Sequence, residues 1–122
     1  MHIVIAGGGN VGFCLAKRLS SSNHAVSLIE KDKEVCKRIA NDTRILVING
    51  DACDPKFLEE AGIKKANVIA AVTGDDEDNL IICQLSKNVF GVSRTVARVN
   101  NSENTHTFSE LGIDVPIDET LL

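Results

Sequence analysis

Six residues near the amino terminus have the types and spacing of a phosphate-binding turn. The segment Gly7-Gly8-Gly9-Asn10-Val11-Gly12 is a G-x-G-x-x-G sequence between a short apolar run and a helix-like stretch. In such a turn the first glycine allows a sharp change of direction, the second lets the backbone approach a pyrophosphate, and the third lets the helix pack closely on the strand. The amino terminus of the helix offers free N–H groups and partial positive charge to the phosphates. The segment therefore predicts dinucleotide binding.

An acidic residue ends the next apolar run, where dinucleotide-binding folds hold a ribose. Glu30 lies 18 residues after Gly12, close to the spacing of roughly 20 that is typical of this function. A carboxylate here can accept hydrogen bonds from both hydroxyls of an adenosine ribose, and its charge repels a 2′-phosphate. Glu30 therefore favours NAD over NADP, although Lys31 and Lys33 oppose that preference. The alternative is that Glu30 caps the following helix.

Two further strand ends carry polar residues. Asp51 and Ala52 follow the third apolar run. Asp51 either accepts a hydrogen bond from an adenine amino group or forms an Asx turn or helix N-cap. Thr73 and Gly74 follow the fourth run. Because ligands bind beyond the carboxyl ends of parallel strands, we expect Thr73 to face the same crevice.

Charged residues near these strand ends have two interpretations each. The acidic run Asp75–Asp78 is typical of the first turn of a helix, with a divalent-cation site as the alternative. Arg98 lies inside an otherwise apolar strand, so its guanidinium needs a carboxylate or a phosphate. Contact with a ligand or a partner surface is favoured for Arg98 over a plain salt bridge.

Composition excludes several classes of function. The chain has 122 residues, of which 43% are hydrophobic and 25% charged, as in one soluble globular domain. The net charge is −4 and no basic block is present, so nucleic acid is not an expected partner. No apolar stretch reaches the roughly 18 to 20 residues that span a bilayer, so we expect no direct membrane insertion. We also expect no signal peptide, because glycines end the first apolar run after Ala6.

Cysteine and histidine spacing predicts no metal site. The four cysteines lie far apart, without a Cys-x-x-Cys pair, and the three histidines form no ligand pattern. Since each cysteine lies in an apolar or helical context, we expect buried, reduced thiols.

The elements that position these residues alternate along the chain. Strands are predicted at Ile3–Ala6, Ala25–Glu30, Ile45–Asn49, Val68–Val72, Thr95–Val99 and Val115–Ile117. Helices are predicted at Asn10–Ser21, Lys33–Asn41, Pro55–Ala61, Glu77–Val89 and Ser102–Leu111. Most strands are apolar on both faces, which is typical of parallel sheets. The sequence thus predicts one α/β domain with a Rossmann-type, doubly wound, six-stranded parallel sheet.

The whole chain resembles the nucleotide-binding KTN or RCK domain of TrkA-type potassium-uptake proteins. The resemblance rests on the glycine turn and Glu30 described above, and on a set of later positions. These are Gly50-Asp51-Ala52, Leu58, Ala61-Gly62-Ile63, Ala66-Asn67, Thr73, Asp76, Asn79 and Ala97-Arg98. The Gly-Asp-Ala and Ala-Gly-Ile segments distinguish this family from ordinary dehydrogenases.

The resemblance implies a role for each site residue and for the protein. Glu30 would hold the adenosine ribose, Asp51 and Ala52 would lie beside the adenine, and Thr73 and Arg98 would line the dinucleotide crevice. Such domains bind NAD(H), or ATP and ADP, and transmit occupancy to a membrane potassium transporter or channel without hydride transfer. Members specialised for ATP often carry a basic residue where this chain has Asn10-Val11, which favours NAD(H) here while ADP or ATP stays an alternative.

A small NAD-dependent dehydrogenase is the competing hypothesis. That activity needs a substrate pocket and an acid–base group facing the nicotinamide. Six strands leave no chain for a substrate domain, and the sequence contains no tyrosine. We therefore expect a regulatory protein, not an enzyme, that is cytoplasmic and peripheral at the inner face of the membrane through its transporter partner.

The carboxyl terminus predicts assembly. Residues 117–122 resemble the beginning of a helix, with Asp118 as N-cap and leucines following. A helix this short is not stable alone. It therefore either packs against another surface or continues in a longer chain. By the resemblance, that segment crosses to a partner, and we expect a homodimer or higher oligomer.

Overall fold

The computed structural model describes residues 1–119 and contains a six-stranded, entirely parallel sheet. The strands are β1 (His2–Ala6), β2 (Ala25–Glu30), β3 (Leu46–Asn49), β4 (Val68–Ala71), β5 (Arg94–Val99) and β6 (Val115–Asp118). Their order across the sheet is β3-β2-β1-β4-β5-β6. The chain thus winds outward in one direction from β1 and then in the other from β4, which confirms the predicted Rossmann-type fold.

Five α-helices connect the strands at nearly the predicted positions. They are α1 (Asn10–Ser21), α2 (Lys33–Asp42), α3 (Pro55–Glu60), α4 (Asp76–Asn88) and α5 (Thr105–Glu110). Aspartates 32, 54 and 75 precede α2, α3 and α4, and each accepts hydrogen bonds from N–H groups of the first turn. The fifth helix begins later than predicted because Ser102–Asn104 forms a 3₁₀ turn before it.

The central strands β1, β2 and β4 are buried on both faces, as their apolar sequences predict. Along β1, Val4 and Ala6 pack into the layer that contains α3, α4 and α5, whereas Ile3 and Ile5 pack into the layer that contains α1 and α2. All four side chains are at most 3% exposed. Because successive side chains of a strand point to opposite faces, one strand anchors both layers.

The turn between β1 and α1 depends on two glycines in contact. Gly7 has a φ of +112°, in the region that glycine adopts readily. A Cβ on Gly12, in the first turn of α1, would lie 1.8 Å from the carbonyl oxygen of Gly7. Only a residue without a side chain therefore allows α1 to begin so close to the end of β1.

The last strand corrects one predicted boundary. β6 continues through Ile117 and Asp118, where the sequence predicted the beginning of a helix over residues 117–122. Pro116 does not end this strand, because β6 lies at the edge of the sheet and has a neighbouring strand on one side only, a position at which proline is tolerated. The rest of the predicted helix, from residue 120 onward, lies outside the described residues.

We predict that Gly12→Ala destabilises the fold and that Gly9→Ala has a much smaller effect. The new methyl group at position 12 must displace the Gly7 carbonyl, so the free energy of unfolding should fall by about 2–4 kcal/mol. At Gly9, an ideal Cβ meets no atom within 4 Å and φ is −69°, so the cost should stay below about 1 kcal/mol. Urea unfolding of both variants measures this, and equal midpoints would contradict the packing described for Gly12.

Candidate functional site

A cleft of about 540 Å³ opens at the carboxyl ends of the strands, where the strand order reverses between β1 and β4. This is the position at which doubly wound sheets bind ligands, and the volume lies in the usual range for small-molecule sites. Nine of the twelve predicted site residues line it: Gly7, Gly8, Gly9, Glu30, Asp51, Ala52, Thr73, Gly74 and Arg98. Asn10, Val11 and Gly12 lie in the first turn of α1 and do not line it, whereas the N-cap of that helix, Gly9, does.

The glycine turn forms one wall of the cleft from backbone alone. The Gly7 N–H donates to the carbonyl oxygen of Ile29, and the Gly8 N–H donates to Glu30 Oε1 at 2.7 Å. A Cβ on Gly9 or Gly74 would meet no atom within 4 Å, so both positions border open space. Unlike α2, α3 and α4, helix α1 has no side-chain hydrogen bond at its amino terminus. A ligand can therefore reach the backbone here.

Glu30 lies at the end of β2 and does not cap the following helix. Asp32 caps α2 by accepting hydrogen bonds from the N–H groups of Glu34 and Val35. The Glu30 carboxylate accepts the Gly8 N–H through Oε1 and the Asp32 N–H through Oε2, the latter at 2.8 Å. One side chain thus fixes the glycine turn and presents a carboxylate to the cleft.

Asn49 was not among the predicted site residues, but it fixes the backbone beside Glu30. Its Nδ2 donates to the carbonyl oxygens of Glu30 and Lys31, at 3.0 and 2.8 Å. Asn49 ends β3, which pairs with β2 in parallel. An amide at the end of a strand is a weak sequence signal, because its partners come from another part of the chain.

Asp51 forms an Asx turn at the next strand end. Its Oδ1 accepts the Cys53 N–H at 2.9 Å, as the structural alternative predicted, while Oδ2 lies 4.0 Å from Lys31 Nζ. Lys31 Nζ also lies 3.4 Å from Asp78 Oδ2, at the beginning of α4. The hydrogen bond to Asp78 and then the charge of Asp51 raise the pKa of Lys31. Asp51 therefore has both a turn-forming contact and a position on the cleft.

A fully buried asparagine, Asn79, fixes the opposite wall. Its Oδ1 accepts the Thr73 hydroxyl at 2.6 Å and the Thr73 N–H at 3.0 Å. Its Nδ2 donates to the carbonyl oxygens of Thr73 and Arg98. The ends of β4 and β5 are thereby joined by one side chain. The family resemblance included Asn79 without giving it a role.

Asp76 makes a second polar connection behind this wall. Oδ1 accepts hydrogen bonds from the backbone and side-chain N–H groups of Asn100, and Oδ2 accepts them from the Asn101 backbone and the Asn104 amide. Burial raises the pKa of Asp76, but these donors outweigh burial and hold the pKa below its ordinary value. With Asp75 capping α4 and Asp78 beside Lys31, all three aspartates of the run have protein partners.

Arg98 lines the cleft and pairs with Glu119. Its Nη2 donates to Glu119 Oε1, so the salt bridge that the sequence left as an alternative is present. The Nε atom is buried and has no hydrogen-bond partner within residues 1–119. Arg98 therefore has an unused donor while it borders the site.

The thiols form no disulfide. All four cysteines are free; Cys36 and Cys83 are buried, whereas Cys14 is exposed, so the expectation of burial was wrong there. Burial, followed by the charges of Asp78 and Asp51, raises the pKa of Cys53 to about 12. Among residues 1–119, no group of three or more histidine, cysteine or acidic side chains is placed to hold a metal ion. No helix in this part of the chain is long and apolar enough to cross a membrane.

Comparison with known proteins identifies a family. The profile of the TrkA-N domain matches residues 3–119. A Trk system potassium uptake protein TrkA homolog from Methanothermobacter thermautotrophicus is 43% identical over 114 residues, which cover 93% of this chain and 52% of that protein. A homolog of the same name from Pyrococcus horikoshii is 39% identical over 111 residues, covering 91% and 49%. The chain spans about half the length of these curated relatives.

Solved structures share the fold. The TrkA-N domain of the inner membrane protein ybaL from Escherichia coli superposes with a TM-score of 0.89 at 16% identity, covering 98% of this chain and 88% of that one. The GsuK channel bound to NAD superposes with a TM-score of 0.82 at 21% identity, and the match covers 95% of this chain and 21% of the channel chain. A Kef carboxyl-terminal domain from Shewanella denitrificans in its AMP-bound form superposes with a TM-score of 0.86 at 24% identity. The match covers 98% of this chain and 72% of that one.

We predict that Asp76→Asn lowers stability in a pH-dependent way. Because the pKa of folded Asp76 lies below its ordinary value, the ionised carboxylate stabilises the fold above that value, and the contribution disappears as pH falls through the folded pKa. At pH 7 the variant should lose about 1–3 kcal/mol of unfolding free energy, since an asparagine presents N–H groups to some of the same donors. The difference from the wild type should narrow below about pH 4.

The control for this prediction is Glu77→Gln, which removes one charge from the same helical turn at an exposed position. Chemical unfolding at several pH values measures both variants. A constant difference between wild type and Asp76→Asn from about pH 7 to about pH 3 would contradict the assigned role of the carboxylate.

Proposed function

The chain belongs to the TrkA-N domain family, and from this we propose that it is the nucleotide-sensing domain of a regulator of potassium transport. The observation that carries the proposal is the cleft itself. It combines a glycine turn, a helix amino terminus without a side-chain cap, and a carboxylate at the next strand end. Together these groups supply N–H donors for phosphates and a carboxylate for a ribose, the two kinds of partner that an adenine dinucleotide requires.

The lining residues support one orientation of the ligand. The pyrophosphate would lie over Gly7, Gly8 and Gly9, and the adenosine ribose would bind Glu30. The adenine would lie beside Asp51 and Ala52, which follow β3. The second half of the dinucleotide would extend past Thr73, Gly74 and Arg98, at the ends of β4 and β5.

Charge supports NAD(H) as the ligand over ADP or ATP. Five carboxylates line the cleft, from Glu30, Asp32, Asp51, Asp75 and Asp78, against two cations, Lys31 and Arg98. An acidic cleft repels a ligand more strongly as the negative charge of its phosphates rises, and ATP carries more of this charge than a pyrophosphate dinucleotide does. The related folds include one bound to NAD and one bound to AMP, so this architecture holds adenine nucleotides of more than one kind.

The side chains at the cleft favour binding over hydride-transfer chemistry. A dehydrogenase places a proton donor or acceptor beside the nicotinamide. Within residues 1–119, the polar side chains at the ends of β4 and β5 already have protein partners. The Thr73 hydroxyl donates to Asn79, Asp75 caps α4, and Arg98 Nη2 donates to Glu119. The relatives are named for potassium uptake, which accords with a regulatory role and not with a small dehydrogenase.

A sensor of this kind needs a partner and two states. We propose that the chain forms a homodimer or a higher oligomer, and that it is cytoplasmic, held at the inner face of the membrane by a potassium transporter or channel. Ligand can shift such an assembly only if it binds the two arrangements with different affinity. Sedimentation of the protein with and without NADH tests the coupling, and identical profiles of a monomer in both conditions would contradict it.

We predict that Gly9→Val abolishes NADH binding while the protein stays folded. The added side chain points into space that contains no protein atom within 4 Å, so folding tolerates it, but it fills the place of the pyrophosphate. Calorimetric titration with NADH, NAD, ADP and ATP should show measurable affinity for the wild type and none for the variant.

Ala25→Val is the matched control, because it adds a side chain of similar size at an exposed position at the opposite end of the sheet. It should bind NADH as the wild type does. Normal binding by a folded Gly9→Val protein would place the phosphates elsewhere and overturn the proposed site.

A further inference from the structure

Lys31 stands beside the predicted ribose site but is held by two carboxylates. It follows Glu30 directly, and within residues 1–119 it is the only lysine that lines the cleft. Its ammonium group lies 3.4 Å from Asp78 Oδ2 and 4.0 Å from Asp51 Oδ2. These partners come from α4 and from the loop after β3, on two sides of the cleft.

The backbone on each side of this ion-pair group is anchored. Asn49 donates hydrogen bonds to the carbonyl oxygens of Glu30 and Lys31. Asp51 Oδ1 accepts the Cys53 N–H, and the Asp78 N–H donates to Asp75 Oδ1. Hydrogen-bonded turns therefore hold the two carboxylates beside Lys31, although the lysine side chain itself is 60% exposed.

The proposed ribose position at Glu30, next to Lys31, indicates which ligands this ion-pair group distinguishes. A 2′-phosphate on an adenosine ribose bound to Glu30 would approach that carboxylate, and folds that accept it supply a cation nearby. We propose that Asp51 and Asp78 make the cleft reject nucleotides that carry a 2′-phosphate, because they engage Lys31, the cation that would otherwise bind it. The inference rests on the proposed function, since it assumes that adenosine binds at Glu30.

The other cation of the cleft does not replace Lys31. Arg98 lies at the end of β5, pairs with Glu119, and is separated from β2 by β1 and β4 in the sheet. Lys33, which the sequence suggested as a second cation, lies in the first turn of α2 and does not line the cleft. A 2′-phosphate would therefore meet Glu30 with no free positive charge from Lys31, Lys33 or Arg98 beside it.

The test compares NADH with NADPH by calorimetry in four proteins. The wild type should bind NADH more tightly than NADPH. In Asp51→Asn/Asp78→Asn the ratio of the two affinities should move toward NADPH by about fivefold, the effect of one partly exposed charge pair. The Asp51→Asn change keeps a side-chain oxygen that can accept the Cys53 N–H, so the turn is retained. Adding Lys31→Gln to this double variant should restore the wild-type ratio.

The fourth protein, Asp42→Asn/Glu60→Gln, gains the same net charge at exposed positions away from the cleft and should keep the wild-type ratio. The inference is overturned if the double variant keeps that ratio, if its shift survives Lys31→Gln, or if the charge control shifts equally. In each of these cases NADH still binds the wild type and the proposed function stands. A wild type that binds neither dinucleotide contradicts the proposed function instead.

Discussion

The contact between Gly12 and the carbonyl of Gly7 is the constraint on which the site depends. Without a side chain at position 12, α1 begins close to the end of β1, and its N-cap residue, Gly9, lines the cleft where the strand order reverses. Gly7 turns the chain with a φ of +112°, and Gly8 donates to Glu30 from the next strand. A helix that began farther away would lose both the exposed backbone and the carboxylate beside it.

The second wall of the cleft is fixed by polar side chains of α4, of which Asn79 is fully buried, instead of close backbone packing. Asn79 satisfies the Thr73 N–H, the Thr73 carbonyl and the Arg98 carbonyl, all at strand ends. Asp76 does the same for the loop after β5 through Asn100 and Asn101. Buried backbone groups need such partners, so these residues of α4 hold the ends of β4 and β5 in place. The two walls are therefore held in place by different physical interactions.

Local sequence patterns predicted most of the fold because the strands and helices here are determined by local signals. Apolar runs, helical spacing and the glycine motif predicted six strands, five helices and the turn at Gly7–Gly12. The predicted helix start at Ile117 was wrong because β6 continues to Asp118, and its pairing with β5 is a property of the whole topology that local sequence does not show. The contacts of Asn49 with Lys31, and of Lys31 with Asp78, could not be predicted, since they join segments separated by up to 47 residues.

If the domain senses a nucleotide, the energy that distinguishes its states has to come from groups whose partners change on binding. The glycine turn and Glu30 are already held by hydrogen bonds within the protein, so they offer a preformed surface. The two cations at the cleft differ, because each is held by ion pairs to separate elements: Lys31 joins the end of β2 to α4, and Arg98 joins β5 to Glu119, beyond β6. A ligand whose negative charge binds Lys31 or Arg98 competes with the ion pair that this cation forms within the protein. Differential affinity between two arrangements of the protein would therefore arise at these ion pairs and not at the preformed glycine turn.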